Sequence, residues 1–129
     1  ISCLKEGFKE KLNQSSMRFF KRVEYLDYTG MIIDKKIAEI LKKKIKKNTK
    51  VIILKNHGSI IFGNTIEELF HLTFHFEKCC SIQLAIPSKN KINLVSDKIA
   101  EKTCNQHEGF GLVGSMSWAA SKKLIKSKN

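Results

Sequence analysis

Two short apolar runs, Val51-Ile52-Ile53-Leu54 and Ser59-Ile60-Ile61-Phe62, flank the polar stretch Lys55-Asn56-His57-Gly58. Both runs are rich in β-branched residues and bounded by polar residues and glycine, the pattern of buried strands joined by a turn. Gly58 suits a positive φ or a close backbone approach, and Asn56 tolerates turn geometry. Turn chemistry gives no reason for the imidazole of His57. Upstream, Asn13 to Phe20 reads as a short helix with Ser15 or Ser16 as its cap, and Val23 to Tyr28 alternates like a strand that Thr29-Gly30 ends. From Asp34 to about Lys47, Ile37, Ile40, Leu41 and Ile45 share one helical face, and Lys42, Lys43, Lys44, Lys46 and Lys47 cover the rest.

Downstream, Asn64-Thr65-Ile66-Glu67-Glu68 has the form of a capping box, with Thr65 accepting from the backbone near Glu68 and Glu68 reaching back. The spacing predicts a long helix from there to Ala85, stopped by Pro87, and then a polar connection through Lys91. Ser96-Asp97 starts a further helix running through His107. After the glycine-rich Gly109 to Gly114, a last helix carries Trp118, Leu124 and Ile125. The order describes a mixed α and β domain with a largely antiparallel element. Such an order fixes class, not function.

With 129 residues, 42% of them hydrophobic, the chain suffices for one domain or part of one. The formal charge of +12 raises nucleic acid or an anionic membrane as partners, yet only Arg18 and Arg22 are arginines. The lysine-rich helix from Asp34 lacks the arginines and interleaved aromatics of a nucleic-acid surface, so a solvated face is the expectation and neither nucleic acid nor membrane is expected. Cys3, Cys79, Cys80 and Cys104 show no CxxC spacing, which speaks against a disulfide framework or a zinc ribbon. No signal peptide opens the chain and no apolar run reaches membrane-spanning length, so a reducing cytoplasm is expected. The sequence contains no GxxxxGK or GxSxG motif.

The chemistry-bearing candidates are few. His57 is either a metal ligand or acid/base at the end of a strand pair, or a turn histidine bonded to a backbone carbonyl; the latter is commoner for a lone imidazole. His71 and His75, four apart on the long helix, share a face, but the pair lacks the glutamate of HExxH and lies among Leu72, Phe74 and Phe76, so packing is the plainer reading. His107 beside Glu108 is too common a pairing to indicate a site. Tyr25 and Asp27 take one strand face and Tyr28 the other; such tyrosines are mostly core residues with a polar handle, although a phenol can act as a general acid.

Several segments together resemble the class II aldolase/adducin family: SCLKEG (Ser2 to Gly7), QSSMRFFKRVEYLDYTG (Gln14 to Gly30), VIILKNHGSIIFGNTIEELFHL (Val51 to Leu72), FEKCCSIQLA (Phe76 to Ala85), and Gln106 with Trp118-Ala119-Ala120. The resemblance implies an α/β/α layered fold with a mostly antiparallel sheet, residues 1–129 forming a partial domain whose N-terminal part is missing. It implies a lyase of carbohydrate metabolism that cleaves sugar phosphates by retro-aldol chemistry in a homo-oligomer. In that chemistry zinc, or another divalent metal, held by three imidazoles, stabilises the enediolate. His57 corresponds to the imidazole of the NHG turn, and Tyr25 is the nearest match to a tyrosine that donates a proton into a neighbouring subunit's site.

The departures carry equal weight. The family's H-x-H pair and a catalytic glutamate belong to a segment before the one matching SCLKEG, and His71, His75 and His107 do not stand where the family would place a substitute. With one ligand of three, the zinc site is incomplete within this chain, and retro-aldol activity of the chain alone is not expected. Asp27-Tyr28 resembles the adducin-like branch, which implies the alternative of a non-catalytic domain for oligomerisation or protein contacts. A partial domain with unpaired sheet edges is expected to be aggregation-prone.

Overall fold

The computed structural model describes residues 1–30, 35–87, 92–110 and 113–127. A 3-10 turn (Ser16–Phe19) leads into β1 (Val23–Leu26), followed by α1 (Lys35–Lys44), β2 (Val51–Leu54), β3 (Gly58–Ile61), α2 (Ile66–Ala85), α3 (Asp97–Gly109) and α4 (Val113–Lys126). The expected Asp34 start of α1 and the polar connection at 88–91 fall outside the described residues.

The three strands form one sheet in the order β1-β2-β3. The hairpin β2/β3 is antiparallel, with Ile53 opposite Ser59, as the two apolar runs predict. β1 joins the other edge of β2 in parallel, Tyr25 beside Ile53. The pairing is therefore mixed rather than mostly antiparallel. The reason is the long connection carrying α1, which returns the chain to the same end of the sheet, as a parallel neighbour requires. β2 is the central strand, and all four of its residues are buried. That accounts for its unbroken apolar sequence, whereas β3, at an edge, is only partly covered.

The main core lies between the sheet and α2. Phe8, Phe19, Val23, Val51, Ile53, Leu72, Phe76 and Cys79 pack together. Phe8, Phe19 and Phe76 form an aromatic triangle with centroids 4.9–5.9 Å apart. A smaller cluster of Met17, Phe20, Ala100 and Cys104 docks α3 onto the 3-10 turn, and α4 packs along α2, with Trp118 5.3 Å from Phe70. Burial pushes the thiols of Cys79 and Cys80 to about 11 and about 12, so they act as small apolar side chains.

α2 has the predicted limits. Thr65 Oγ1 accepts from the Glu68 N–H at 3.2 Å, but the Glu68 carboxylate reaches one residue further back than a standard box and accepts from the Asn64 N–H at 2.7 Å. Gly63 permits this tight entry, since a Cβ there would lie 2.7 Å from the Leu69 backbone nitrogen. α1 departs more from expectation. It ends at Lys44, and Ile40 and Ile45, expected on its buried face, are 40% and 43% exposed.

The N-terminal segment is clamped to α2. Gln83 Nε2 donates to the Gly7 carbonyl at 2.7 Å, and Gln83 Oε1 accepts from the Lys9 N–H at 2.8 Å. The glutamine of the FEKCCSIQLA segment thus holds together positions 76 residues apart. No helix among the described residues is long and apolar enough to cross a membrane.

Candidate functional site

His57 occupies the β2–β3 turn with its side chain exposed. The turn is set by Asn56, which takes φ +57°, and by the His57 N–H donating to the Leu54 carbonyl at 3.0 Å. Asparagine rather than Gly58 therefore supplies the left-handed residue. His57 shares a shallow hollow of about 20 Å³ with Asp27, Tyr28 and Lys55, and the Asp27 carboxylate there is bound by Lys55 Nζ at 2.6 Å. Among the described residues, no three His, Cys, Asp or Glu side chains are grouped to hold a metal ion. Among the described residues, His57 and the side chains around it do not make up a zinc donor set.

Tyr25 is placed for packing. Its hydroxyl accepts from the Phe8 N–H at 2.9 Å, and burial pushes the phenol above its ordinary value. Gly7, at φ +62°, lies directly over it: a Cβ on Gly7 would come within 2.6 Å of the Tyr25 oxygen. The aromatic ring thus dictates a glycine in the adjacent segment.

A second concavity lies elsewhere, a cleft of about 600 Å³ between the 3-10 turn, the first turns of α2 and α4, and the end of α3. Both arginines of the chain line it. Arg22, 8% exposed, directly precedes β1, and Lys50 directly precedes β2. The Lys50 N–H donates to the Arg22 carbonyl at 2.9 Å, so these cations stand side by side at the starts of parallel strands. Arg22 is ion-paired with Glu108, and Lys50 with Glu68 at 2.6 Å. The hydrogen bond from Arg22 holds the Glu108 carboxyl below its ordinary value. Burial alone would raise the Glu68 carboxyl, but hydrogen bonds from Lys50 and Asn64 bring it below its ordinary value.

Arg18 is oriented by His107. The His107 Nε2–H donates to the Gln14 carbonyl at 2.9 Å, which leaves Nδ1 to accept from an Arg18 Nη at 3.0 Å. Consecutive residues of α3, His107 and Glu108, therefore hold the two arginines in turn. His71 is 4% exposed, with its ring 4.3 Å from that of His75. Burial, reinforced by the charge of Arg18, lowers the His71 pKa to about 4 and also depresses His75. Two polar atoms here, His71 Nε2 and Arg18 Nε, are buried without a hydrogen-bond partner among the described residues.

The sequence pairs His71 with His75 and His107 with Glu108 but does not bring the two pairs together, and it gives Arg18, Arg22 and Lys50 no place in a site. The available signal was composition. Where lysine supplies nearly all positive charge, two arginines four residues apart mark positions that need a planar, partly buried cation.

Comparison with known proteins agrees with this architecture. Residues 1–84 match the description of the class II aldolase and adducin N-terminal domain. Human beta-adducin is 32% identical over 99 residues, which cover 75% of this chain and 13% of that protein. An adducin-related protein of Schizosaccharomyces pombe is 32% identical over 108 residues, covering 80% of this chain and 32% of that protein. Among solved structures, an aldolase II superfamily protein from Pseudomonas syringae superposes with a TM-score of 0.88 at 25% identity, over 99% of this chain and 52% of that one. An L-fuculose 1-phosphate aldolase from Glaciozyma antarctica superposes with a TM-score of 0.71 at 22% identity, over 92% of this chain and 45% of that one, a likeness of fold. The chain thus spans a small part of the two adducin relatives and about half of the two solved chains.

Proposed function

The chain belongs to the class II aldolase and adducin family, and from that premise we propose that it is a non-catalytic association domain of the adducin kind, residues 1–129 forming part of the family domain. The carrying observation is that the side chains which the resemblance assigns to chemistry are committed to structure or, among the described residues, lack further metal ligands. The Tyr25 hydroxyl is engaged by the Phe8 N–H, and the carboxylate sharing the hollow with His57 is held by Lys55. Identities of 32% to human beta-adducin and to the yeast adducin-related protein support the same branch. Four free cysteines, three of them buried, suit a reducing cytoplasm. The exposed apolar side chains Ile40 and Ile45 on and just after α1, and Met116, Leu124 and Ile125 on α4, offer surface for a second copy or another part of the same protein.

A second reading, a zinc-dependent aldolase whose site is completed by residues outside this chain, is favoured by one observation. The His57 imidazole is exposed at the end of the strand pair, on the turn set by the left-handed Asn56. Sedimentation of the full chain across a concentration series, paired with a sugar-phosphate cleavage assay in added zinc, separates the two. The association role predicts concentration-dependent self-association and no zinc-dependent cleavage. Zinc-dependent cleavage abolished by His57→Ala would overturn it.

A further inference from the structure

The cleft at Arg22 and Lys50 lies at the opposite end of β2 from the NHG turn, and the association role makes no use of it. Its floor presents two cations fixed by strand pairing, Arg22 and Lys50. Its rim is made by two helix N-termini. The first turns of α2 and α4 meet so closely that a Cβ on Gly114 would lie 3.0 Å from the Glu67 carbonyl oxygen. The helices are 20 and 14 residues long, so each brings a substantial positive end to the cleft. His71 lines the cleft, almost wholly buried, and its Nε2 has no hydrogen-bond partner among the described residues. A buried ring nitrogen left in that condition costs stability unless something binds it.

Three carboxylates, Glu67, Glu68 and Glu108, also line the cleft, and any anion must contend with them. They are not equally fixed. Glu68 is tied into the α2 cap by the Asn64 N–H. Glu108 lies in the last turn of α3, where the helix dipole disfavours a negative charge, and its side chain is 57% exposed against 10% for Arg22. Glu108 thus reaches from solvent to neutralise a buried guanidinium. An oxyanion of matching geometry would satisfy the same guanidinium bidentately and release Glu108 to water.

We propose that this cleft binds a phosphate group, as inorganic phosphate or a small phosphomonoester, with Arg22 as its principal ligand, Lys50 and the N-termini of α2 and α4 as supporting donors, and Glu108 as an internal place-holder that the phosphate displaces. The exposed ring of Phe110 at the rim gives an organic substituent an apolar surface.

The test is calorimetric titration of the full chain with inorganic phosphate and with glycerol phosphate at constant ionic strength, repeated on Glu108→Gln and Arg22→Lys. Glu108→Gln removes the competing charge and is expected to tighten phosphate binding about tenfold, while Arg22→Lys, which keeps the charge but loses the fork, weakens it about tenfold. Tighter binding of glycerol phosphate than of phosphate assigns the site to phosphomonoesters, and equal binding assigns it to the free ion. Because Arg22→Lys also risks the fold, thermal melting of Glu108→Gln provides an independent readout: phosphate should raise its midpoint more than that of the parent chain. Absence of phosphate binding to both parent and Glu108→Gln, or binding unchanged by Glu108→Gln, would overturn the proposal.

Discussion

Gln83, in the last turns of α2, gives both ends of its carboxamide to the N-terminal segment, donating to the Gly7 carbonyl and accepting from the Lys9 N–H. The side chain is 8% exposed, so neither bond is readily replaced by water. Gln83→Ala leaves two backbone groups short of partners and should lower the unfolding free energy by about 2–4 kcal/mol, read from urea denaturation. A loss below about 0.5 kcal/mol would show that the clamp is dispensable.

Gly7 and Tyr25 should be energetically coupled. Gly7→Ala meets both a left-handed backbone and the Tyr25 hydroxyl, and should cost about 1–3 kcal/mol. Tyr25→Phe removes the nearest clashing atom but leaves two ring carbons 2.9 and 3.0 Å from the added Cβ, so the double variant should recover only part of the steric loss and none of the backbone share. Strict additivity of the two substitutions in a double-mutant cycle would contradict the packing.

Acid should loosen the α2–α3 region before it titrates the carboxylates. The folded His71 pKa, about 4, lies below its ordinary value of 6.5, so between these values the unfolded chain binds the extra proton. Stability is therefore fully present above about pH 6.5 and declines as pH falls toward 4, with a slope of up to about 1.4 kcal/mol per pH unit. His75 and His107 are depressed in the same direction and add to the decline. Glu68 and Glu108, also depressed, contribute stability that is lost only at still lower pH. Stability measured against pH for His71→Gln should show a shallower decline, and an unchanged slope would remove His71 from the account.

Thr65→Ala deletes the side-chain cap of α2 and should cost about 1 kcal/mol by urea denaturation, since the Glu68 N–H loses its acceptor. An equal loss from Ser15→Ala is not expected, because Ser15 makes no side-chain cap bond to the 3-10 turn.

The exposed aliphatic residues provide a check on association. Ile45→Lys should change stability by no more than about 0.5 kcal/mol, whereas Ile53→Ala, in the core, should cost about 2–5 kcal/mol. If Ile45→Lys also shifts the sedimentation of the chain toward the monomer, the α1 surface takes part in self-association. Unchanged sedimentation would move the interface elsewhere.

The sequence by itself determined the features that depend on neighbours along the chain. The α2 cap at Thr65, its stop near Pro87, the start of α3 at Ser96 and the β2–β3 hairpin were all legible, because caps and tight turns are built from residues a few positions apart. The family was legible for a related reason: its pattern lies in contiguous segments such as the NHG turn. Tertiary structure decided everything that depends on which segments meet. The parallel placement of β1, the exposure of Ile40 and Ile45 despite an amphipathic pattern, and the structural engagement of the Tyr25 hydroxyl each depend on a distant partner. The cleft is the extreme case. It joins Arg18 and Arg22 to Lys50, to the start of α2, to His107 and Glu108 and to the start of α4, and each of these reads locally as an ordinary surface position. Only burial and strand pairing turn them into a site, because the energy of a charge depends on what surrounds it in space and not on what precedes it in the chain.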